Sequence, residues 1–172
     1  MYIYINKNII SQMSNKYMID IASEMGYLDV LKWWKSSGMK LKYTCNSLDY
    51  ASKNGLVHVL DWWLKSGLEL RYSSLALTWA SEYGHIKVLD WWLNSGLDLK
   101  YTTCAVDYSS GNGHIDILNW WILSGLEFKF SKVAIILALE NEHYNIINWW
   151  KSYYRTIMPN INNCDKIENL TY

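Results

Sequence analysis

The sequence has no excess of either sign of charge. Its 172 residues include 16 basic and 16 acidic side chains, so the formal net charge is zero. General nucleic-acid binders are clearly basic because they must neutralise phosphates, and this composition therefore argues against nucleic acid as a partner. The length is sufficient for one domain with a sizeable hydrophobic core.

Long apolar runs and cysteine motifs are missing too. No apolar segment approaches the roughly 18 residues that a membrane-spanning helix needs, so we expect no membrane partner. The opening stretch, MYIYINKNIISQMSNK, has no basic leader before an apolar segment, and we expect no cleaved signal peptide. Cys45, Cys104 and Cys164 show no Cys-x-x-Cys spacing, and an odd number cannot close into a disulfide framework. Together these absences predict a reduced, intracellular and cytoplasmic protein.

Tryptophan, in contrast, is abundant, with 11 residues. Most of it occurs in adjacent pairs that recur every 29 residues, at Trp33-Trp34, Trp62-Trp63, Trp91-Trp92, Trp120-Trp121 and Trp149-Trp150. A fixed period of this size indicates stacked structural repeats. The pattern predicts one solenoid domain over residues 1–159, with copies at 15–43, 44–72, 73–101, 102–130 and 131–159. Residues 1–14 would be an N-terminal cap or half-repeat, and residues 160–172 a polar tail.

The third copy shows how one unit is expected to fold. Each copy begins with Ser, Thr or Asn, which cap helices by accepting a free first-turn N–H. The stretch SSLALTWASEYG predicts a first helix that Gly84 ends in a left-handed conformation. Its predicted buried face carries Leu75, Ala76, Leu77, Trp79, Ala80 and Tyr83, and its predicted polar face carries Ser74, Thr78, Ser81 and Glu82.

A second helix, HIKVLDWWLNS, follows and is closed by Gly96. Adjacent helical residues point about 100° apart, so the two tryptophans of a pair must do different jobs. We expect Trp92 in the core and Trp91 along a seam with the neighbouring copy, its indole N–H near water or a carbonyl. The connector LDLKY fits either a short strand-like segment or a plain linker.

The unit resembles an ankyrin repeat, whose signature is T-P-L-H-x-A. Leu77 and Ala80 match that signature, and Gly84-His85, the aliphatic pair Val88-Leu89 and Gly96 follow as in the family. The Thr, Pro and His of the signature are absent, and the unit is shorter by about four residues, lost from the connector. The Trp-Trp, Ser-Gly-Leu version is similar to repeats of giant amoeba-infecting viruses, some protists and some fungi, which would make this a viral protein acting in a host cell.

The resemblance implies an all-α, ankyrin-like solenoid of helix-turn-helix repeats with shortened or absent β-hairpins. A leucine-rich repeat, whose period also reaches about 29 residues, is the rival fold. That family requires L-x-x-L-x-L followed by Asn or Cys, whereas Thr or Ser follows the connector here. It also spends part of each unit on a strand, which leaves little room for two amphipathic helices.

Two ladders of residues invite a chemical interpretation. His85, His114 and His143 lie one copy apart, about 8–10 Å by helix packing distance, too far for metal bonds of about 2 Å. We therefore expect loop-bracing histidines and no metal or other cofactor. The basic ladder consists of Lys42, Arg71, Lys100 and Lys129. It could bind phosphates, or its members could pair with helix acids such as Asp49 and Asp107 or lie over adjacent rings.

No Gly-rich phosphate loop or catalytic constellation is evident, and we expect no enzyme. Repeat stacks offer an extended concave face, so the sequence predicts a monomeric protein-interaction scaffold whose partner binds the first helices. Its predicted contact residues vary between copies, which fits either partner specificity or unconstrained surface drift. They are Asp49, Lys53, Asn54, Thr78, Glu82, Tyr83, Asp107 and Asn112. The alternative is a structural or nucleic-acid-associated protein that uses the basic ladder.

Overall fold

The computed structural model describes residues 17–40 and 42–157, and all regular structure in these ranges is helical. The prediction of an all-α protein is confirmed for this part of the chain. The predicted N-terminal half-repeat and polar tail lie outside the described residues. In chain order the helices are α1 Met18–Glu24, α2 Leu28–Ser36, α3 Asn46–Lys53, α4 Val57–Lys65, α5 Leu75–Glu82, α6 Ile86–Asn94, α7 Cys104–Gly111, α8 Ile115–Leu123, α9 Val133–Glu140 and α10 Tyr144–Ile157.

Consecutive helices form pairs, and the pairs contact their neighbours in sequence order. We call α1, α3, α5, α7 and α9 the first helices and their partners the second helices. Each first helix contacts the first helix of the next pair and the second helix of its own pair. The second helices contact one another in order from α4 to α10. An interior first helix is therefore enclosed by three helices, whereas a second helix keeps a broader exposed side.

Local hydrogen bonds explain where a first helix begins and ends. The backbone N–H of Leu75, the first residue of α5, donates to the hydroxyl of Ser73 at 3.1 Å, as the capping prediction required. At the other end Gly84 has φ of 74°, and the N–H of His85 donates to the carbonyl of Ala80 at 2.8 Å. This is the hydrogen bond that closes a helix through a left-handed residue, so the prediction for Gly84 is confirmed.

The core confirms the prediction for the second helix and corrects the one for the first. Val88, Leu89 and Trp92 are fully buried, as expected. On α5, however, Leu75 and Tyr83 are 41% and 46% exposed, while Thr78 and Ser81 are buried among the predicted polar positions. The wheel was wrong because neighbouring first helices cover both flanks of α5. Thr78 donates to the carbonyl of Ser74 at the start of its own helix, and Ser81 accepts from the indole N–H of Trp121 on α8.

From Trp62-Trp63 onward, the two tryptophans of a pair have the different roles that the sequence predicted, whereas Trp33 and Trp34 are both half-buried. Trp92 is fully buried, and its indole N–H donates to the hydroxyl of Ser52 in the preceding pair at 2.9 Å. Trp91 is half-buried, and its N–H donates to the carboxylate of Asp61, also in the preceding pair, at 2.8 Å. Both residues thus join one pair to the one before it, and the seam partner is a carboxylate.

The connectors pack against the core without forming strands in the described residues. The ring of Tyr72 lies 4.8 Å from that of Trp92, and its hydroxyl donates to the carbonyl of Asp98 in the next connector at 3.0 Å. Tyr72 thus packs its ring on the second helix of the following pair and ties its connector to the next one by a hydrogen bond, and the hydroxyls of Tyr43 and Tyr101 form the equivalent bonds. This resolves the sequence alternative in favour of a plain linker.

None of the described helices combines the length and apolar character that crossing a membrane requires.

Candidate binding surface on the first helices

The first helices carry exposed apolar and aromatic side chains along the side that no other helix covers. One row, with one residue per pair at intervals of 29, contains Ile21, Tyr50, Trp79, Tyr108 and Leu137. Ile21 and Tyr108 are each 39% exposed, and the others are half-buried. Contiguous apolar surface of this kind is rare on soluble monomers unless something binds it.

Rows one turn before and one turn after extend this surface. Tyr17, Leu75 and Val133 are exposed on the earlier turn, and Met25 and Tyr83 on the later turn. We call these residues, together with the row above, the first-helix face. Because its members lie on five successive pairs, the face continues along the described first helices and is not confined to one repeat.

The centre of the face is an ordered aromatic cluster between α3 and α5. The rings of Tyr50 and Trp79 are stacked, with centroids 5.2 Å apart and planes only 6° from parallel. The ammonium of Lys53 lies 5.6 Å from the Trp79 ring and 5.3 Å from the Tyr83 ring, within the range of cation–π attraction. The cluster therefore offers flat apolar area, with one positive charge already placed at its edge.

Three of the predicted contact residues are buried and cannot meet a partner. Asp49 is 0% exposed and accepts hydrogen bonds from the N–H and hydroxyl of Ser73 at 2.9 and 2.6 Å. Asp107 does the same for Ser131, both at 2.8 Å. Thr78 is 2% exposed and donates to a carbonyl in its own helix. The expectation that Asp49, Thr78 and Asp107 face outward is therefore wrong.

These acids are buried because each one holds the beginning of the next first helix. Asp20 supplies the same acceptor to Thr44, at 3.0 Å from its N–H and 2.8 Å from its hydroxyl. Burial raises the pKa of Asp49 above its ordinary value, against the lowering effect of its hydrogen bonds from Ser73. Donors that balance the loss of hydration are what a buried carboxylate needs.

Two predicted residues are exposed but have a structural task. The side-chain amide of Asn54 donates to the carbonyl of Glu24 at 2.9 Å, and that of Asn112 donates to the carbonyl of Glu82, also at 2.9 Å. Each amide thus caps the end of the preceding first helix. In the third copy Tyr83 occupies the position of Asn54 and Asn112. There the end of the preceding first helix is contacted by a histidine: Nε2 of His85 lies 2.9 Å from the carbonyl of Lys53.

This exchange leaves the Tyr83 side chain without a capping task. Of the eight predicted contact residues, Lys53, Glu82 and Tyr83 remain as side chains available to a partner, and their role stays a prediction. Sequence reasoning missed Leu75, Trp79 and Tyr108, because the wheel placed the first two in the core. Variation between copies was the useful signal: Ile, Tyr, Trp, Tyr and Leu follow one another in the row of Trp79, whereas buried rows repeat.

The histidine ladder lies against the glycines that end the first helices. A side chain on Gly84 would meet the ring of His114 at 3.1 Å, and one on Gly55 would meet His85 at the same distance. Each ring thus fills the space that a glycine leaves in the preceding pair. Among the described residues, no three His, Cys, Asp or Glu side chains are grouped so that they could hold a metal ion.

The basic ladder lies along the connectors and over tyrosine rings. Arg71 lies 5.3 Å from the ring of Tyr43, Lys100 lies 4.4 Å from that of Tyr72, and Lys129 lies 4.6 Å from that of Tyr101. This is the ring arrangement that the sequence left open. Arg71 and Lys129 form their ion pairs with connector acids. No ion pair with Asp49 or Asp107 is formed among the described residues, although the charge of Lys100 acts against the burial that raises the pKa of Asp49.

Those ion pairs are short and exposed. Arg71 contacts Glu69 at 2.6 Å, and Lys129 contacts Glu127 at 3.3 Å. Arg71 lowers the pKa of Glu69 through a hydrogen bond and its charge. Each of these two cations is thereby partly neutralised, which weakens the ladder as a phosphate track.

Comparison with known proteins assigns no family, since no family model matches the chain and no curated protein matches it.

Proposed function

We propose that the chain is a non-catalytic protein-interaction scaffold or adaptor, and that its first-helix face binds the partner. The observation that carries the proposal is the continuous exposed apolar and aromatic surface on successive first helices. Leu75, Tyr83 and Tyr108 on this face are 41%, 46% and 39% exposed, so burial in the chain's own core does not account for their apolar character.

The proposal includes an ankyrin-like solenoid as the architecture. The support is the recurrence of one set of contacts at each junction: Gly ends the first helix, His lies against that Gly, and the second Trp bonds to the preceding pair. The connectors form no strands in the described residues, so hairpin fingers are not available to bind a partner there. Binding then falls to the first helices, which would form the concave side of such a stack.

The buried polar residues support a non-catalytic role. Asp49 and Asp107 bind the next helix, and Ser23, Ser52, Ser81 and Ser110 accept indole N–H groups from Trp63, Trp92, Trp121 and Trp150. These buried carboxylates and hydroxyls are thus occupied in holding the pairs together.

A nucleic-acid-associated or structural role for the basic ladder remains the alternative. Binding to phosphates should weaken steeply as salt rises, whereas a packed protein interface should respond only modestly. The ladder's contacts with rings and connector acids favour the scaffold.

The test is affinity capture from a cell lysate, with mass spectrometry of the bound proteins. We compare the wild type with Lys53→Glu/Glu82→Lys on the first-helix face and with Lys87→Glu/Asp116→Lys on the second helices. Lys87 and Asp116 are exposed and bonded to no other described residue, which makes them a matched control. A specific partner should be lost with the first variant and kept with the second, at unchanged melting temperatures. If only the second variant loses the partner, the interface lies on the second helices and not on the first-helix face.

A further inference from the structure

The junction between the third and fourth helix pairs lacks the carboxylate that the other junctions between described pairs carry. Asp20, Asp49 and Asp107 each accept two hydrogen bonds, from the N–H and the hydroxyl of the residue that begins the next copy. In the third copy the equivalent residue is Thr78, which donates to the carbonyl of Ser74 at the start of its own helix. We call this junction, between α5/α6 and α7/α8, the third junction.

The donors that such a carboxylate would hold are left to solvent. Thr102 begins the fourth copy, and its N–H and hydroxyl donate to no described residue. The hydroxyl only accepts, from the N–H of Cys104 at 3.3 Å. Thr102 is exposed, whereas the equivalent residues at the other junctions, Thr44, Ser73 and Ser131, are half-buried. Water therefore reaches the start of α7, where a buried carboxylate excludes it elsewhere.

The ring contacts of the first-helix face are interrupted at the same junction. Across the second junction, between α3/α4 and α5/α6, the rings of Tyr50 and Trp79 are stacked, and Lys53 lies over the Trp79 ring. Across the third junction the equivalent rings are those of Trp79 and Tyr108, which make no contact with each other. Glu82 stands at the position of Lys53, so it brings no cation to the Tyr108 ring.

On its other side, the fourth pair packs closely against the last pair. A side chain on Gly111, the last residue of α7, would lie 2.8 Å from Cβ of Leu137 on α9. Only a glycine permits helices to approach to this distance. Asp107 also holds Ser131 across this junction, at 2.8 Å from its N–H. The fourth and fifth pairs are thus joined to each other by contacts that the third junction does not have.

The contacts that remain keep the third junction closed. The indole N–H of Trp121 donates to the hydroxyl of Ser81 at 3.0 Å, and the side-chain amide of Asn112 donates to the carbonyl of Glu82 at 2.9 Å. In a linear array each junction adds its own free energy to that of the pairs. Sub-global opening therefore occurs where a junction contributes least, and it releases the pairs beyond that junction as one unit.

We propose that the array contains a hinge at the third junction, at which α7 to α10 open together away from the first three pairs. The hinge goes beyond the proposed function and does not depend on it. Trp79 and Tyr108 lie on opposite sides of the hinge, so its opening divides the first-helix face into two parts. The hinge thereby sets whether that surface is continuous.

Native-state hydrogen exchange of the whole chain, followed by mass spectrometry, tests the hinge. We expect the peptides of α7, α8, α9 and α10 to share one opening equilibrium constant. It should be at least about tenfold larger than that of α3 to α6, as the loss of one hydrogen bond to a charged acceptor implies.

Thr78→Asp is the decisive variant, because it places a carboxylate opposite the free N–H and hydroxyl of Thr102. We expect it to lower the opening constant of α7 to α10 at least about tenfold. Thr78→Val is the matched control: it keeps the shape of the side chain, supplies no acceptor and should not lower that constant.

Asp49→Thr is the reciprocal variant, because it gives the second junction the residue that the third one has. We expect the shared opening to extend to α5 and α6, with at least about a tenfold rise in their opening constant. Thermal melting checks that every variant is folded, and if Thr78→Asp does not fold, Asp49→Thr carries the test.

Three results would overturn the inference. In the first, α7 to α10 exchange no faster than α3 to α6. In the second, α9 and α10 open without α7 and α8, which would place the weak junction between the last two pairs. In the third, folded Thr78→Asp leaves the opening constant unchanged, or Asp49→Thr leaves α5 and α6 as protected as in the wild type.

Discussion

Interior junctions and the last helix pair place opposite kinds of side chain at equivalent positions. Between the second and third pairs, Asp49 holds Ser73, and Ser52 accepts the indole N–H of Trp92. In the last pair the same two positions hold Ile136 and Leu139, both half-buried. No further pair follows α10 in the described residues, so no following pair supplies a hydrogen-bond donor to these two positions.

One more position changes from polar to apolar, and another loses the glycine that a following histidine requires. Phe130 stands where Tyr43, Tyr72 and Tyr101 donate to the next connector, and α10 continues as helix through the place of that connector. Glu142 stands where earlier pairs have a glycine against the next histidine, and it keeps a left-handed φ of 59°. At the positions of Asp49, Ser52 and Tyr72, a polar group thus occurs where a following pair supplies its partner, and an apolar one where no following pair is described. The buried acids are therefore parts of the junctions, and the proposed binding surface is restricted to the first-helix face.

Among substitutions that test the difference between interior junctions and the last pair, removing a buried tryptophan should change stability most. Trp92→Ala empties a fully buried site and should lower the free energy of unfolding by about 3–5 kcal/mol. It disrupts a junction in the middle of the array, whereas Trp150→Ala should chiefly release the last pair. Urea unfolding measures the first effect, and hydrogen exchange confined to α9 and α10 reports the second. Trp91→Ala, at the half-buried seam, is the control, and a loss equal to that of Trp92→Ala would refute the two roles.

Removing a junction carboxylate should have the next largest effect. Asp49→Ala leaves the N–H and hydroxyl of Ser73 without their acceptor and should lower the free energy of unfolding by about 1–3 kcal/mol. The reciprocal change, Ile136→Asp, adds a carboxylate where no following pair donates, and it should also destabilise. If Ile136→Asp instead raised the stability measured by urea unfolding, the carboxylate would have found a hydrogen-bond donor in the last pair, and the argument would be contradicted.

Substitutions at the left-handed residues that end the first helices should change stability less, with opposite signs at an interior junction and in the last pair. Gly84→Ala puts a side chain on a left-handed residue against His114 and should lower stability by about 1–2 kcal/mol. Glu142→Gly relieves the same backbone restriction, with no following histidine, and should raise stability by up to about 1 kcal/mol. Thermal melting of the two variants tests the signs, and a fall for Glu142→Gly would contradict the argument.

The smallest effect is expected for the connector hydroxyls. Tyr72→Phe removes a partly exposed hydrogen bond to the carbonyl of Asp98 and should lower stability by about 0.5 kcal/mol. Phe130→Tyr adds a hydroxyl that has no connector carbonyl to meet, so no measurable gain is expected. A gain from Phe130→Tyr as large as the loss from Tyr72→Phe would break the comparison between interior and last pairs.

Much of the local structure could be predicted from the sequence because it depends on neighbouring residues. The period of the Trp pairs, the capping hydroxyl of Ser73 and the left-handed Gly84 are set within one unit. The two roles of Trp91 and Trp92 follow from the 100° step between adjacent helical residues. For the cap and the glycine, the partner or the constraint lies within a few residues. The hydrogen-bond partners of Trp92 and Trp91, Ser52 and Asp61, lie 40 and 30 residues away and were not predicted.

The candidate site was less predictable because it depends on which side of a first helix its neighbours cover. The sequence alone determined that the chain is built from repeated, capped pairs of helices. The tertiary structure decided that Asp49 and Thr78 are buried while Leu75 and Tyr83 are exposed. A single-helix wheel assumes that polar residues face water, but here hydrogen bonds across 24 residues, as from Ser73 to Asp49, satisfy them inside. Once those bonds occupy the junctions, the remaining uncovered strip of each first helix carries the apolar and aromatic side chains.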